Sequence, residues 1–172
     1  MRLFIAINFS DETIGRLLSI RDELRARSER GRFSAPENMH LTLAFLGECE
    51  TRQTAAAKAA MDSVGFEPLV IVIERVGRFG REGGSIWWAG VQESKALLDL
   101  QQDLTGKLID AGFALDNRKY SAHITLGREV VTDAAPRRIE PFSETINSIE
   151  LMKSEHIGGR LTYTAIYKRS SG

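Results

Sequence analysis

The stretch NMHLTLAFLGE, at residues 38–48, has the apolar content and the closing glycine of a buried β-strand. Side chains two residues apart on a strand point to the same face, so His40 and Thr42 share one face while Leu41 and Leu43 point to the other. Burying an imidazole and a hydroxyl costs free energy unless both groups are hydrogen-bonded. This polar pair inside a hydrophobic strand therefore predicts either a satisfied structural contact or a functional site.

The same pattern occurs a second time, in SAHITLGR at residues 121–128. His123 and Thr125 fall on one face of this segment, and Ile124 and Leu126 fall on the other. The chain contains three histidines, and two of them lie in a His-[Leu/Ile]-Thr-Leu motif. The repetition favours the functional interpretation, because an isolated structural pair is not expected to recur.

The two motifs belong to a longer internal repeat. Their histidines are 83 residues apart, and the same shift places LFIA of residues 3–6 over IWWA of residues 86–89. The apolar helix positions that follow both segments align as well. Each half therefore reads as strand, helix and His-x-Thr strand, at about residues 2–46 and 85–128.

The predicted fold class is α+β, with residues 1–172 forming a single bilobal domain that contains an internal duplication. We expect two pseudo-symmetric lobes of antiparallel-rich sheet with outer helices around a central groove. Ser10 and Ser94 are the predicted N-caps of the helix in each half. Two further strands are predicted at residues 146–152 and 161–167, joined by a glycine turn.

Composition narrows the class of partner and the compartment. Lys plus Arg and Asp plus Glu number 23 each, so the net charge is zero, which disfavours a protein that grips long nucleic acid through its phosphates. Six arginines within residues 16–32 are interpreted as a solvated helix face.

No apolar run approaches the ~18 residues of a membrane span, and no signal-peptide pattern is present, so we expect a cytoplasmic protein without membrane partners. The single cysteine, Cys49, excludes an intrachain disulfide and a Cys-based zinc site and is interpreted as an inert thiol.

Two equivalent strands that face each other across a groove would present two imidazoles and two threonine hydroxyls to one substrate. Histidines with pKa values near 6.5 are suited to paired general acid and general base catalysis. Threonine hydroxyls can donate to the oxygens of an anion held between them. A phosphodiester fits this arrangement, because its hydrolysis needs water activated on one side and an alkoxide protonated on the other.

The paired motifs resemble those of the two-histidine (2H) phosphoesterase superfamily. The flanking residues are similar to its bacterial LigT-like RNA 2',3'-cyclic phosphodiesterase branch. The likeness spans nearly the whole chain: RLFIAI at the start, PENMHLTLAFLGE at residues 36–48, IWWAGV at 86–91 and HITLGR at 123–128. The resemblance implies a bilobal fold, hydrolysis of an RNA 2',3'-cyclic phosphate to a 2'-phosphate end, no metal or other cofactor, and a reversible 2'–5' RNA ligation.

The resemblance also assigns roles to six residues of this sequence. His40 becomes the proton donor and His123 the proton acceptor, and Thr42 and Thr125 bind the substrate. The nucleobase-contacting phenylalanine of the family falls on Phe45, and its phosphate-side arginine falls on Arg128. One departure is Ala122, because the family often has proline before the second histidine.

Phe45 and Arg128 conflict with strict strand alternation. Each lies five residues after its histidine, and an odd offset places a side chain on the opposite face. Phe45 therefore has two interpretations, a core residue or a residue that stacks on a base. Arg128 reaches the histidine face if the strand ends or bulges at Gly127.

Two other functions remain open at this point. The substrate is either an RNA end or a small cyclic nucleotide or cyclic sugar phosphate. The zero net charge mildly favours the small substrate, and the resemblance of HLTLAFLGE, at residues 40–48, favours RNA. A nucleotide-binding module without catalysis is disfavoured by the intact histidine and threonine in both motifs. A metal site that includes His156 is disfavoured too, because no carboxylate stands at ligand spacing. We expect a monomer.

Overall fold

The computed structural model describes residues 1–116 and 118–172. In chain order its strands are β1 (Arg2–Ile7), β2 (Ser28–Phe33), β3 (Leu41–Glu48), β4 (Leu69–Phe79), β5 (Ser85–Val91), β6 (His123–Thr132), β7 (Arg137–Ile146), β8 (Ser148–Ile157) and β9 (Arg160–Ser170). The helices are α1 (Asp11–Ala26), α2 (Thr51–Ser63) and α3 (Lys95–Asp110), and a short 3₁₀ turn covers Pro36–Asn38.

The strands form two antiparallel sheets. The first sheet has the order β3-β1-β8-β9, and the second has the order β2-β6-β5-β4-β7. Each motif strand lies beside the first strand of its own half: β3 pairs with β1, and β6 pairs with β5. The predicted α+β class, with antiparallel sheets and accompanying helices, is confirmed.

Local sequence explains where the helices and one hairpin begin and end. Ser10 and Ser94 cap α1 and α3 as predicted, because their hydroxyls accept hydrogen bonds from the backbone N–H groups of Thr13 and Leu97. The hairpin from β8 to β9 turns at Gly158 and Gly159, whose φ angles of 58° and 78° lie in the left-handed region. A two-residue turn with two positive φ angles matches the twist of the flanking strands.

The apolar core is continuous between the two sheets and the helices. Buried residues of α1 and α3, such as Leu17 and Leu104, pack in the same cluster as Ile5 of β1 and Trp87 of β5. The opposite sheet faces carry the motif residues, and we call these the groove faces. Burial of one face of each sheet fixes the strand register, because a one-residue slip would exchange the two faces.

The observed strand register shows that β1 and β5, the first strands of the two halves, align differently from the predicted repeat. Ala6 lies opposite Thr42, and Trp88 lies opposite Thr125, so these strands correspond at a shift of 82 residues, since 88 minus 6 is 82. The motif strands β3 and β6 do correspond at the predicted shift of 83 residues. For β1 and β5, however, the predicted alignment of LFIA with IWWA is wrong by one residue. Trp87 consequently belongs to the core, while Trp88 lies on the groove face.

Two edge strands lie outside the elements that the sequence predicted. The arginine-rich segment does not continue α1: the helix ends at Ala26, and Ser28–Phe33 forms the edge strand β2. Strand β7 is an additional edge strand whose charged sequence, RRIEPFSETI, lacks an apolar alternation. Within the described ranges, no helix is long and apolar enough to cross a membrane.

Candidate active site

The two motif histidines are held in the same way. The Nδ1 atom of His40 lies 2.9 Å from the carbonyl oxygen of Asn38, and Nδ1 of His123 lies 2.8 Å from that of Ser121. A carbonyl oxygen only accepts, so each Nδ1 carries the donated proton. The proton-transfer nitrogen of both imidazoles is therefore Nε2.

The threonines accompany the histidines on the groove faces. The hydroxyl of Thr42 lies 2.9 Å from Nε2 of His40, and it donates to that nitrogen when the imidazole is neutral. Thr125 is half-buried and lies two residues after His123 on the same strand. The structure thus brings each predicted histidine and threonine to one face of its sheet.

A β-bulge follows the threonine in each motif strand. Ile5 pairs with Ala44 and the next residue of β1 pairs with Thr42, so Leu43 is the extra residue of β3. In the second half, Leu126 is the extra residue of β6 at the equivalent position. A bulge inserts one unpaired residue and shifts the alternation of the side chains beyond it.

The bulges decide where Phe45 and Arg128 point. Leu43 and the residue after it are both buried in the core, so the alternation is broken and Phe45 emerges on the groove face. Its side chain is 67% exposed, and its ring lies 6.1 Å from that of Phe4, which in turn lies 4.7 Å from the His40 ring. The interpretation of Phe45 as a core residue is wrong.

Arg128 is exposed and acts on both histidines. Its positive charge contributes to lowering the pKa of His40 and the pKa of His123. In the described part of the chain, no carboxylate lies within ion-pair distance of its guanidinium, whereas the neighbouring Glu129 pairs with Arg32 at 3.0 Å. Glu129 has a φ angle of 54°, which marks a further irregularity at this end of the strand. An unneutralised guanidinium beside two imidazoles suits an anionic substrate.

Burial dominates the electrostatics of the imidazoles. Desolvation lowers the pKa of His40 to about 4, against a hydrogen bond to Asn38 that raises it, with smaller lowering contributions from Arg128 and His123. Desolvation also lowers the pKa of His123, again with a contribution from Arg128. Both imidazoles are therefore neutral at pH 7 in the free protein, and the effect of His123 on His40 places the two within electrostatic reach of each other.

Aromatic rings surround both histidines. In the first lobe, Tyr163 stands edge-on to His40 with a centroid distance of 5.2 Å. In the second lobe, Phe79 stands edge-on to His123 at 5.2 Å, and Trp88 lies 6.1 Å from it. These rings pack against the imidazoles and contribute to their burial. The sequence pattern did not identify Phe4 or Tyr163, because an alternating strand gives no sign of which sheet face meets a groove.

Hydroxyl groups from the connecting segments hold both motif strands in place. The Tyr120 hydroxyl donates to the carbonyl of Thr42 at 2.7 Å, and the Ser34 hydroxyl donates to the carbonyl of Thr125 at 3.0 Å. Tyr120 precedes β6 of the second sheet and contacts β3 of the first. Ser34 directly follows β2 and contacts β6, its neighbour in the second sheet. The Tyr120 contact thereby joins the second sheet to the backbone of the first motif, and sequence reasoning missed it.

The remaining candidates lie apart from this constellation. His156 is an exposed residue of β8 close to the Gly158–Gly159 turn. Cys49 is buried, and desolvation raises the pKa of its thiol, as expected of an inert cysteine. Within residues 1–116 and 118–172, no group of three or more His, Cys, Asp and Glu side chains is placed to hold a metal ion.

Comparison with known proteins identifies the family. The family model described as LigT like Phosphoesterase matches residues 7–88. A protein of Archaeoglobus fulgidus named RNA 2',3'-cyclic phosphodiesterase is 36% identical over 129 residues, covering 74% of this chain and 72% of the relative. The chain belongs to the LigT-like phosphoesterase family. A Thermotoga maritima relative of the same name is 32% identical over 131 residues, 74% of this chain and 70% of its own.

The solved structures agree with this LigT-like assignment. The crystal structure of Escherichia coli LigT complexed with 3'-AMP superimposes with a TM-score of 0.88 at 25% identity, covering 99% of this chain and 97% of that one. This LigT-like chain therefore shares the fold of that protein over nearly its whole length. The 2H phosphoesterase fold expected from the motifs is confirmed.

Proposed function

We propose that this LigT-like protein hydrolyses the 2',3'-cyclic phosphate end of RNA to a 2'-phosphate end, using His40 and His123 as an acid–base pair. The observation that supports it most directly is the matched geometry of the two imidazoles. Each has Nδ1 fixed by the carbonyl two residues earlier, leaving Nε2 for proton transfer. The family relatives from Archaeoglobus and Thermotoga bear the name of the same activity.

The proposed reaction is an in-line displacement at phosphorus. Nε2 of His123 accepts a proton from water as the water oxygen forms its bond to phosphorus. The bond between phosphorus and the ribose 3'-oxygen breaks, and His40 donates a proton from Nε2 to that oxygen. The products are a 2'-phosphate and a free 3'-hydroxyl.

The substrate itself helps to prepare the acid. His40 has a pKa of about 4 in the free protein, so it is neutral at pH 7 before substrate binds. A phosphodiester anion between the imidazoles opposes the influence of Arg128 and favours the protonated form. We therefore assign the donor role to His40 in the complex and not in the free protein.

Four further residues hold the phosphoryl group and the base. Thr42 and Thr125 donate to the non-bridging oxygens, where charge builds up in the transition state. Arg128 supplies the positive charge beside them. Phe45 offers its exposed ring to the terminal nucleobase, since stacking on an aromatic side chain tolerates any base.

The same residues serve a second, reversible reaction, the ligation of two RNA ends. If the 5'-hydroxyl of a second RNA takes the place of water, attack on phosphorus with departure of the 3'-oxygen yields a 2'–5' linkage. Acid and base keep their roles, and no further group is required. We propose this ligation, metal independence, a monomeric state and action in the cytoplasm as parts of the same account.

The test is incubation of an oligonucleotide ending in a 2',3'-cyclic phosphate with the protein in excess EDTA, followed by mapping of the product ends. The proposal expects 2'-phosphate ends at an undiminished rate. Activity that EDTA abolishes and a divalent ion restores would contradict the acid–base mechanism. Turnover of a small cyclic nucleotide without turnover of RNA would favour the alternative substrate. The zero net charge of the chain is consistent with that alternative.

A further inference from the structure

The groove face of the second sheet carries aromatic and cationic side chains that the proposed chemistry does not use. In the register of the sheet, His123 lies opposite Gly90, Gly90 lies opposite Arg75, and Arg75 lies opposite Arg138. Residues that lie opposite one another share a face. The row therefore leads from the imidazole across two strands to a pair of arginines on β4 and β7.

An aromatic pair stands beside this row. Trp88 lies opposite Thr125, and its ring is 5.4 Å from that of Phe79. The guanidinium of Arg75 lies 5.6 Å from the Trp88 ring, and that of Arg81 lies 5.9 Å from the Phe79 ring. Both rings are only half-buried, so each keeps part of its surface open to the groove.

Glycines make room for this arrangement. A Cβ atom at Gly77 would lie 2.3 Å from the Trp88 ring, and a Cβ at Gly90 would lie 2.6 Å from Cγ of Arg75. The indole of Trp88 thus lies close to the backbone of β4, and the stem of Arg75 lies close to the backbone of β5. Arg75 also approaches Glu74 at 3.6 Å and the carbonyl of Val91 at 3.4 Å, and 38% of its side chain stays exposed.

From this placement we infer that Trp88, Phe79 and Arg75 form a second nucleotide subsite, which holds the base and phosphate on the 5' side of the reacting end. The inference rests on the proposed function and names its substrate as an oligonucleotide end. A chain whose terminal base stacks on Phe45 of the first lobe and whose cyclic phosphate lies between the imidazoles continues over the second lobe. Aromatic faces for bases and a guanidinium for the phosphate are the usual means of holding single strands.

The preference for RNA over a mononucleotide then comes from a local site and not from net charge. Stacking of one base on an aromatic side chain should raise the affinity about tenfold, which corresponds to about 1.4 kcal/mol, near the lower end of the range known for such contacts. One additional nucleotide should therefore matter more than all later ones, because Trp88 and Phe79 form a single platform.

Equilibrium binding tests the subsite independently of catalysis. The ligands are a mononucleotide with a 2'-phosphate end, the matching dinucleotide, and a dinucleotide whose 5' base is absent, measured by calorimetry with the full chain. We expect the dinucleotide to bind about tenfold more tightly than the mononucleotide, and the abasic ligand to fall between them. Equal affinities for the mononucleotide and the dinucleotide would overturn the inference.

Variants locate the effect on the platform. Trp88→Leu should reduce the dinucleotide to the affinity of the abasic ligand, and Arg75→Gln should weaken both dinucleotides while lowering their salt dependence. Phe45→Leu is the matched control, because it should weaken every ligand equally and leave the ratio unchanged. An unchanged ratio in Trp88→Leu and in Phe79→Leu, both confirmed as folded by thermal melting, would refute the subsite. A protein that binds with this ratio but fails to release 2'-phosphate ends would instead refute the proposed function.

Discussion

The hydroxyl of Tyr120 donates to the main-chain carbonyl of Thr42 at 2.7 Å, across 78 positions of sequence. The contact joins the segment before the second motif to the backbone of the first. It therefore holds the backbone of Thr42 against the segment that leads into the second motif strand. Burial raises the pKa of the Tyr120 phenol, so the hydroxyl remains a donor throughout the working range of pH.

Tyr120→Phe should lower kcat about tenfold, less than the ~10²-fold that a 1 Å misplacement can cost. It should also cost ~1 kcal/mol of stability through the lost hydrogen bond. In a Thr42→Val background the same change should have little further effect on kcat, since Tyr120 acts through Thr42. Tyr167→Phe, which removes an exposed hydroxyl bound to Asp62, is the matched control. Additive losses in the double variant would contradict a positioning role.

Thr42→Val and Thr125→Val should each lower kcat by ~10²-fold, because each removes one donor to the phosphoryl oxygens. Valine keeps the shape of threonine and its preference for a strand. The measurement is steady-state turnover of a cyclic-phosphate oligonucleotide, with melting curves to confirm folding. Wild-type kinetics in both variants would remove the threonines from the mechanism.

Phe45→Leu should raise KM roughly tenfold, since the change removes a stacking surface worth ~1–3 kcal/mol. The melting temperature should change little, because 67% of the side chain is exposed. Kinetics on a mononucleotide substrate isolate the effect from the second lobe. A large fall in melting temperature with an unchanged KM would show that Phe45 serves the fold alone.

His40 should make the stability of the protein depend on pH. Its pKa is about 4 in the folded protein and near 6.5 when unfolded, so between these values the unfolded chain binds more protons. Stability should therefore fall as the pH is lowered from about 6.5 to about 4, by up to ~3 kcal/mol from this group. Urea unfolding of the wild type and His40→Gln at both pH values measures the difference, with His156→Gln as an exposed control. Identical pH dependence in the wild type and His40→Gln would contradict the buried, neutral imidazole.

The sequence predicted the motif strands, the helix caps at Ser10 and Ser94 and the α+β class, because each follows from local periodicity or capping chemistry. It did not predict β2 or β7. Both are edge strands with charged sequences, which the sheet stabilises through backbone pairing and not through an apolar face.

The sequence predicted which residue types form the candidate site, but it did not predict the directions of their side chains or the contacts between the lobes. The alternation rule failed at Phe45, since a bulge at Leu43 arises from the register between β3 and β1. Trp88 was indistinguishable from Trp87, because a slip of one residue exchanges core and groove. The hydrogen bond of Tyr120 joins residues that are far apart in the sequence, and a local sequence pattern does not predict such a contact.

A change of leaving group tests whether the two imidazoles divide the acid and base roles on one phosphodiester. The substrate is a cyclic-phosphate nucleotide whose 3'-bridging oxygen is replaced by sulfur, because a thiolate departs without protonation. On the natural substrate, His40→Ala and His123→Ala should each lose ~10²–10⁴-fold in kcat. On the sulfur substrate, His40→Ala should regain most of its activity while His123→Ala stays slow. Rescue of His123→Ala alone would exchange the roles, and failure to rescue either variant, or full activity in one of them on the natural substrate, would contradict the two-histidine mechanism.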